Sequence, residues 1–157
     1  ILGHAAISKA ISPIGVATGE AISNRIMFKQ LLQSGGMQFC QIDSCRVGSI
    51  NELLAIMLLA RKFEVPVCPH AGGVGLCNYV QHLSAVNYTA ISPSLENVVI
   101  EFSDHLHEHF VDELRVEQAR YRLPKLPGYS ITMKSESIRD YEYPRGRVWQ
   151  ERQVLGP

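Results

Sequence analysis

The stretch Val65-Pro66-Val67-Cys68-Pro69-His70-Ala71-Gly72-Gly73-Val74-Gly75 decides how the rest of the chain is read. Its first four residues form a short apolar run. A proline, a histidine and a glycine-rich turn follow, and an amphipathic run starts at Val74. That order predicts a strand, a tight loop and a helix. His70 then falls where the strand ends, and in parallel α/β folds ligands bind at that carboxyl edge.

The same unit recurs upstream. Residues 37–42 read as an apolar strand ending in Asp43, and residues 14–18 as a β-branched strand closed by Gly19-Glu20. Downstream, residues 88–92 read as a fourth strand. Helices are predicted between them: 3–11, then 24–33 with Ser23 as its cap, then 49–63, then 74–86. In the third of these, Ser49 and Glu52 have capping-box spacing, and the stripe Ile50, Leu53, Leu54, Met57, Leu58 reads as core. A further helix is predicted over 97–110. Glu20 and Asp43 are 23 residues apart, Asp43 and His70 27, and Ser92 follows 22 residues after His70. Each interval is one βα step, and near-continuous apolar strands indicate a parallel sheet covered on both faces. A complete (β/α)8 barrel repeats that step eight times in roughly 250 residues, so four steps make half of one. A small doubly wound sheet is the other candidate, but no nucleotide-type glycine fingerprint follows any strand.

The pattern changes after Phe110. Residues 114–123 alternate and suggest an extended edge segment. Residues 135–141 suggest a short helix, Tyr143-Pro144-Arg145-Gly146 a turn, and Trp149 an anchor docking the tail on the body. The expected organisation is therefore α/β: residues 1–110 as a half-barrel and 111–157 as an irregular C-terminal tail. The chain opens on Ile1 rather than Met, which fits a piece of a longer chain.

Composition narrows the function classes. The chain has 157 residues, 46% apolar and 19% charged, with a formal net charge of zero. A balanced charge gives no electrostatic footprint for a nucleic-acid partner. No apolar run reaches the roughly 18 residues that a membrane span needs. Cys40, Cys45, Cys68 and Cys77 lack paired metal spacing and read as reduced thiols of an intracellular protein. His105, His107 and His109 alternate, which spreads them around a helix, and with His82 they make no metal site.

Glu20, Asp43 and His70 at three successive strand ends would share one mouth. A carboxylate on one imidazole nitrogen fixes the tautomer and makes the other a stronger base. A second carboxylate can hold a hard cation such as Mg²⁺, which takes oxygen ligands. Together these parts suit proton abstraction next to a carboxylate. Each residue also has a plainer reading. Glu20 suits a solvated loop carboxylate, Asp43 a cap for the following turn, and His70 a packed histidine with a backbone partner.

Three motifs carry a resemblance. They are Ala17-Thr18-Gly19-Glu20 with Asn24-Arg25, Gln41-Ile42-Asp43-Ser44-Cys45-Arg46-Val47-Gly48, and Pro69-His70-Ala71-Gly72-Gly73-Val74-Gly75-Leu76-Cys77. In that order and spacing they resemble the enolase superfamily, its mandelate racemase-type subgroup, and within it the L-fuconate dehydratases. The stretch from Ser94 to Phe110 extends the match, which covers about residues 1–150.

The resemblance implies a capping domain and a modified TIM-type (β/α)7β barrel, of which this chain holds strands five to eight. It implies Glu20 as the last of three carboxylate Mg²⁺ ligands, in contact with substrate. It implies Asp43 and His70 as a catalytic dyad, with His70 aiding departure of the 3-hydroxyl and returning the proton in ketonisation. Ala71 and Gly72 would meet substrate through their backbone. Glu101, ahead of Glu96, would bind the carboxylate end of a small acid sugar. A mitochondrial location, otherwise a cytoplasmic one, and a homo-oligomer for the full-length form follow from the same match. The paired lysines of strand two and the first two metal ligands are absent. The alternatives are another acid-sugar dehydratase or racemase, or a non-catalytic fragment or isoform.

Overall fold

In the computed structural model, residues 1–103 and 105–154 are described. Asp104, inside the stretch expected to be helical, and tail residues 155–157 lie outside them.

Three parallel segments form the floor. Strand β1 (Ala17–Thr18) pairs in parallel with β2 (Phe39–Cys40), with Ala17 opposite Phe39 and Thr18 opposite Cys40. The third segment joins through a parallel bridge from Cys40 to Val67. The Cys40 N–H donates to the Pro66 carbonyl at 2.8 Å, the Cys68 N–H to Cys40 at 3.0 Å, and the His70 N–H to Ile42 at 3.0 Å. The predicted strands are therefore in the expected order but shorter in ladder length. Proline at positions 66 and 69 removes donors from the third, which leaves a bridge rather than a strand.

Four helices accompany the segments, and three of them contribute to the core. Helix α1 is Leu2–Ile11, α2 is Arg25–Gln33, α3 is Ile50–Lys62 and α4 is Leu76–Val86. The core is where α2 and α3 meet the strands: Phe28, Leu31, Leu53, Ile56, Met57 and Ala60 against Met37, Cys40, Ile42 and Val67. The α2 cap is Asn24, one residue later than expected. Its side-chain oxygen accepts from the Ile26 and Met27 N–H groups, a geometry that Ser23 is too early to reach. Ser49 caps α3 as expected, accepting from the Glu52 N–H at 3.3 Å. The reciprocal half of the box does not form, because the Glu52 carboxylate reaches α2 instead. It takes the Arg25 N–H at 2.6 Å and the Arg25 Nε at 2.9 Å.

Two expected elements are corrected. Residues 88–92 are not a strand. Asn87–Ile91 continue α4 as a π-helical turn, closed by the Ser92 N–H on the Asn87 carbonyl at 2.7 Å. The Thr89 hydroxyl donates to the Ala85 carbonyl at 2.8 Å, which suits a threonine to a helix end. Residues 97–110 are not a helix either; among the described residues only His107–His109 form a single 3-10 turn. Instead, residues 98–103 run beside the third segment, the Glu101 N–H facing the Pro69 carbonyl at 3.5 Å. The position of the fourth wall segment is thus about ten residues later than the sequence suggested. Among the described residues the sheet does not close.

The alternating stretch after Phe110 is a hairpin. β3 (Val116–Glu117) and β4 (Arg120–Tyr121) pair antiparallel across Gln118-Ala119, whose φ values of 52° and 58° are those of a primed two-residue turn. Helix α5 (Ser135–Tyr141) is as expected, and α6 (Arg147–Val154) follows it. Trp149 donates to the Tyr141 carbonyl at 2.9 Å and packs edge-on to Tyr143, so it joins α6 to α5. The tail meets the body through other side chains as well: Asn78 Nδ2 donates to the Asp112 carbonyl, and His82 Nε2 lies 3.2 Å from Ser130 Oγ.

Candidate active site

Each wall segment ends in a polar residue, and the parallel direction brings these ends to one rim. Glu20 follows β1 across Gly19, whose φ of 137° and whose 2.6 Å clearance to the Gln41 carbonyl exclude a Cβ. Asp43 follows β2, and His70 follows Pro69. One ligand atom from each of Glu20, Asp43 and His70 lies within 4.8 Å of the other two. Glu101, at the end of the segment beside His70, joins them from the other side. Glu96, the second choice for that role, lies instead beside a cavity of about 300 Å³ shared with Arg61, Val65 and Asn87.

His70 has two unlike nitrogens. Nε2 lies 3.7 Å from Glu20 Oε1. Nδ1 lies 2.6 Å from Glu101 Oε2. That second contact is close but not aligned as a hydrogen bond, since Nδ1 has no partner in hydrogen-bonding geometry. The same Glu101 oxygen accepts the Ala71 N–H at 2.7 Å. Gly72 passes across the ring so closely that a Cβ there would lie 2.7 Å from His70 Cε1. Only glycine admits the loop at that distance. Of the backbone groups expected to meet substrate, the Ala71 N–H is already engaged by Glu101.

Asp43 is not the group on His70 Nδ1. Its Oδ1 accepts the Cys45 N–H at 2.8 Å and its Oδ2 the Arg46 Nε at 3.1 Å, while its carbonyl takes the Arg46 and Val47 N–H groups. The turn-capping reading of Asp43 therefore holds alongside its place at the rim. Arg46 also lies 3.7 Å from Glu20 Oε1 and so faces both carboxylates. Sequence reasoning quoted Arg46 only as part of a motif; its i,i+3 spacing from Asp43 was the available signal.

The thiols around the rim are pushed above their ordinary value. Burial pushes Cys68 up, and the Glu101 carboxylate adds to it. Burial also pushes Cys45 up, with Asp43 adding and the Ser44 hydroxyl opposing. Cys40, below the rim, is pushed up to about 12 by burial and then by Cys68.

A hard cation needs oxygen donors with free lone pairs. Glu20 fits: its carboxylate is half-exposed and its neighbours stand at 3.7 Å. Each Asp43 oxygen already accepts one hydrogen bond, which leaves it a weaker donor than Glu20, and His70 offers nitrogen. A cation at Glu20 needs further oxygen donors from elsewhere.

Residues 1–137 match the family model described as enolase C-terminal domain-like. Mitochondrial enolase superfamily member 1 from Homo sapiens is 59% identical over 153 residues, spanning 96% of this chain and 34% of the relative. The crystal structure of that human protein superposes with a TM-score of 0.91 at 57% identity, covering 99% of this chain and 35% of the other. L-galactonate dehydratase from Hypocrea jecorina is 51% identical over 153 residues, 95% of this chain and 34% of the relative. L-talarate/galactarate dehydratase from Salmonella typhimurium LT2, liganded with Mg and L-lyxarohydroxamate, has a TM-score of 0.73 at 28% identity, over 88% and 32%. The chain thus spans about a third of the length of the curated relatives it matches.

Proposed function

The chain belongs to the enolase C-terminal domain-like family, and from that membership we propose that it carries the His70 side of an acid-sugar dehydratase site. The reaction is loss of water from a sugar acid, L-fuconate being our first candidate, to give a 2-keto-3-deoxy acid. The observation that carries the reading is the convergence of Glu20, Asp43 and His70 at one rim, with Glu101 against the same imidazole. Relatives named as dehydratases of L-galactonate and of L-talarate/galactarate support the substrate class.

In this reading Glu20 would hold Mg²⁺, which supplies electrostatic stabilisation for negative charge at a substrate carboxylate. The chain's own residues do the rest. His70 Nε2, 3.7 Å from Glu20 Oε1, would pass its proton to the departing 3-hydroxyl, which leaves as water, and, once reprotonated from solvent, would deliver a second proton to C3 in ketonisation. Glu101 sits against Nδ1 and the Ala71 N–H, so it fixes the ring and the loop together. Asp43 and Arg46 form the supporting pair beneath them. Glu101, Ala71 and Gly72 lie where the carboxylate end of the substrate would rest. The base opposite His70 and the other metal donors come from outside this chain. Alone, it is expected neither to bind Mg²⁺ tightly nor to turn over L-fuconate. A mitochondrial location and a homo-oligomeric full-length form are further parts of the proposal, the former drawn from the relatives' names.

The test is a hybrid in which this chain replaces the matching third of the human relative, offered L-fuconate, L-galactonate and D-galactonate with Mg²⁺. Formation of a 2-keto-3-deoxy acid from at least one of them is expected. A folded hybrid that dehydrates none, while the unaltered relative does, would contradict the reading.

A further inference from the structure

Glu101 touches both His70 and Ala71, so whatever fixes its main chain fixes the site. Its N–H faces the Pro69 carbonyl at 3.5 Å, the long limit of a hydrogen bond. Two residues on, the Ser103 N–H donates to Cys77 Sγ at 3.3 Å, and that thiol reaches the Ala71 carbonyl at 3.5 Å. Sulfur is a weak partner in both senses. The Glu101 carbonyl, by contrast, accepts the Tyr121 hydroxyl at 2.8 Å, an ordinary strong length. Tyr121 stands on β4, outside the barrel wall, and its ring meets Phe102 edge-on at 6.2 Å. Burial pushes the phenol far above its ordinary value, with Cys77 and the Glu101 carboxylate adding, so the hydroxyl keeps its proton and donates.

We propose that Tyr121 is a positioning residue: through its hydroxyl the tail hairpin holds Glu101 in place, and with it the carboxylate on the Ala71 N–H and the His70 ring. The proposal rests on the reading of His70 and Glu101 as one site.

Tyr121→Phe keeps the ring and its contact with Phe102 and removes only the donor. In the full chain, amide hydrogen exchange and chemical shift at Ala71 report the bond to the Glu101 carboxylate. The variant is expected to lower Ala71 protection about tenfold, the equivalent of one lost hydrogen bond, and to move its proton upfield. Protection at Ile56 and Val80 in the core is expected to stay as in the parent. An unchanged Ala71 would overturn the proposal, and so would an equal fall at Ala71, Ile56 and Val80, which would make Tyr121 merely architectural. Glu101→Ala serves as the reference and should reproduce the Ala71 change; if it does not, the Glu101–Ala71 contact itself is refuted. Dehydration does not enter the readout, so failure of the enzymatic reading and failure of this one are separate results.

Discussion

Asp43 has two oxygens and both are spoken for: one by the Cys45 N–H, the other by the Arg46 guanidinium. Removing a nearly buried carboxylate leaves a backbone donor and a guanidinium short of partners. Asp43→Ala is therefore expected to cost about 1–3 kcal/mol in urea unfolding, and Asp43→Asn clearly less. The same carboxylate adds to the upward push on the exposed Cys45 thiol. A raised thiol holds less thiolate at neutral pH, so Cys45 should react slowly with a disulfide reagent at pH 7.5 and faster as pH rises. Asp43→Asn should speed that reaction at fixed pH. At this scale the sequence was informative about which residues reach the rim, because strand-end position depends only on chain direction and step length. It was silent on pairing within the rim. That Glu101 rather than Asp43 faces His70 Nδ1 depends on side-chain rotation and on a segment whose position the sequence did not give.

Helix α2 shows what an element owes to one residue. Asn24 accepts from two N–H groups of the first turn, and Asn24→Ala should cost about 1 kcal/mol in urea unfolding. The β2 segment makes a different prediction. The Cys40 thiol sits at about 12 in the fold, above its ordinary value of 9.0, so the unfolded chain loses its proton first. Stability from this group is intact below pH 9 and is lost as pH climbs through 12, by up to about 4 kcal/mol. Cys40→Ala should flatten that part of the alkaline unfolding curve. Periodicity or a cap found α1, α2, α3 and α4, while α5 was read from its position between turn signals without either. Periodicity failed at residues 88–92, where tyrosine, threonine and isoleucine look like a strand but the helix before them runs on. It failed again at 97–110, where turns and a wall segment lie in a histidine-rich stretch without a clear period.

The whole molecule exposes 10293 Å² of surface. A compact monomer of this mass would expose about 7,900 Å². The excess fits a barrel wall without its other half. Helix α1 buries none of its residues, and Leu2 is 82% and Ile7 53% exposed. Such apolar surface drives association, so the isolated chain should elute above its monomer mass, and Leu2→Glu with Ile7→Glu should shift it toward monomer. Size-exclusion chromatography with light scattering reads this directly. Step lengths placed the first three wall segments, but the fourth was misplaced because residues 88–92 continue a helix; the partner surfaces were not legible, because their complement lies outside these residues. The central claim, that the three strand ends form one dehydratase rim acting through His70, is tested most directly by the dehydration rate of the hybrid and of its His70→Asn form on the best sugar acid. A fall of about 10²-fold or more with the fold retained is predicted. A His70→Asn hybrid as fast as its parent would contradict it.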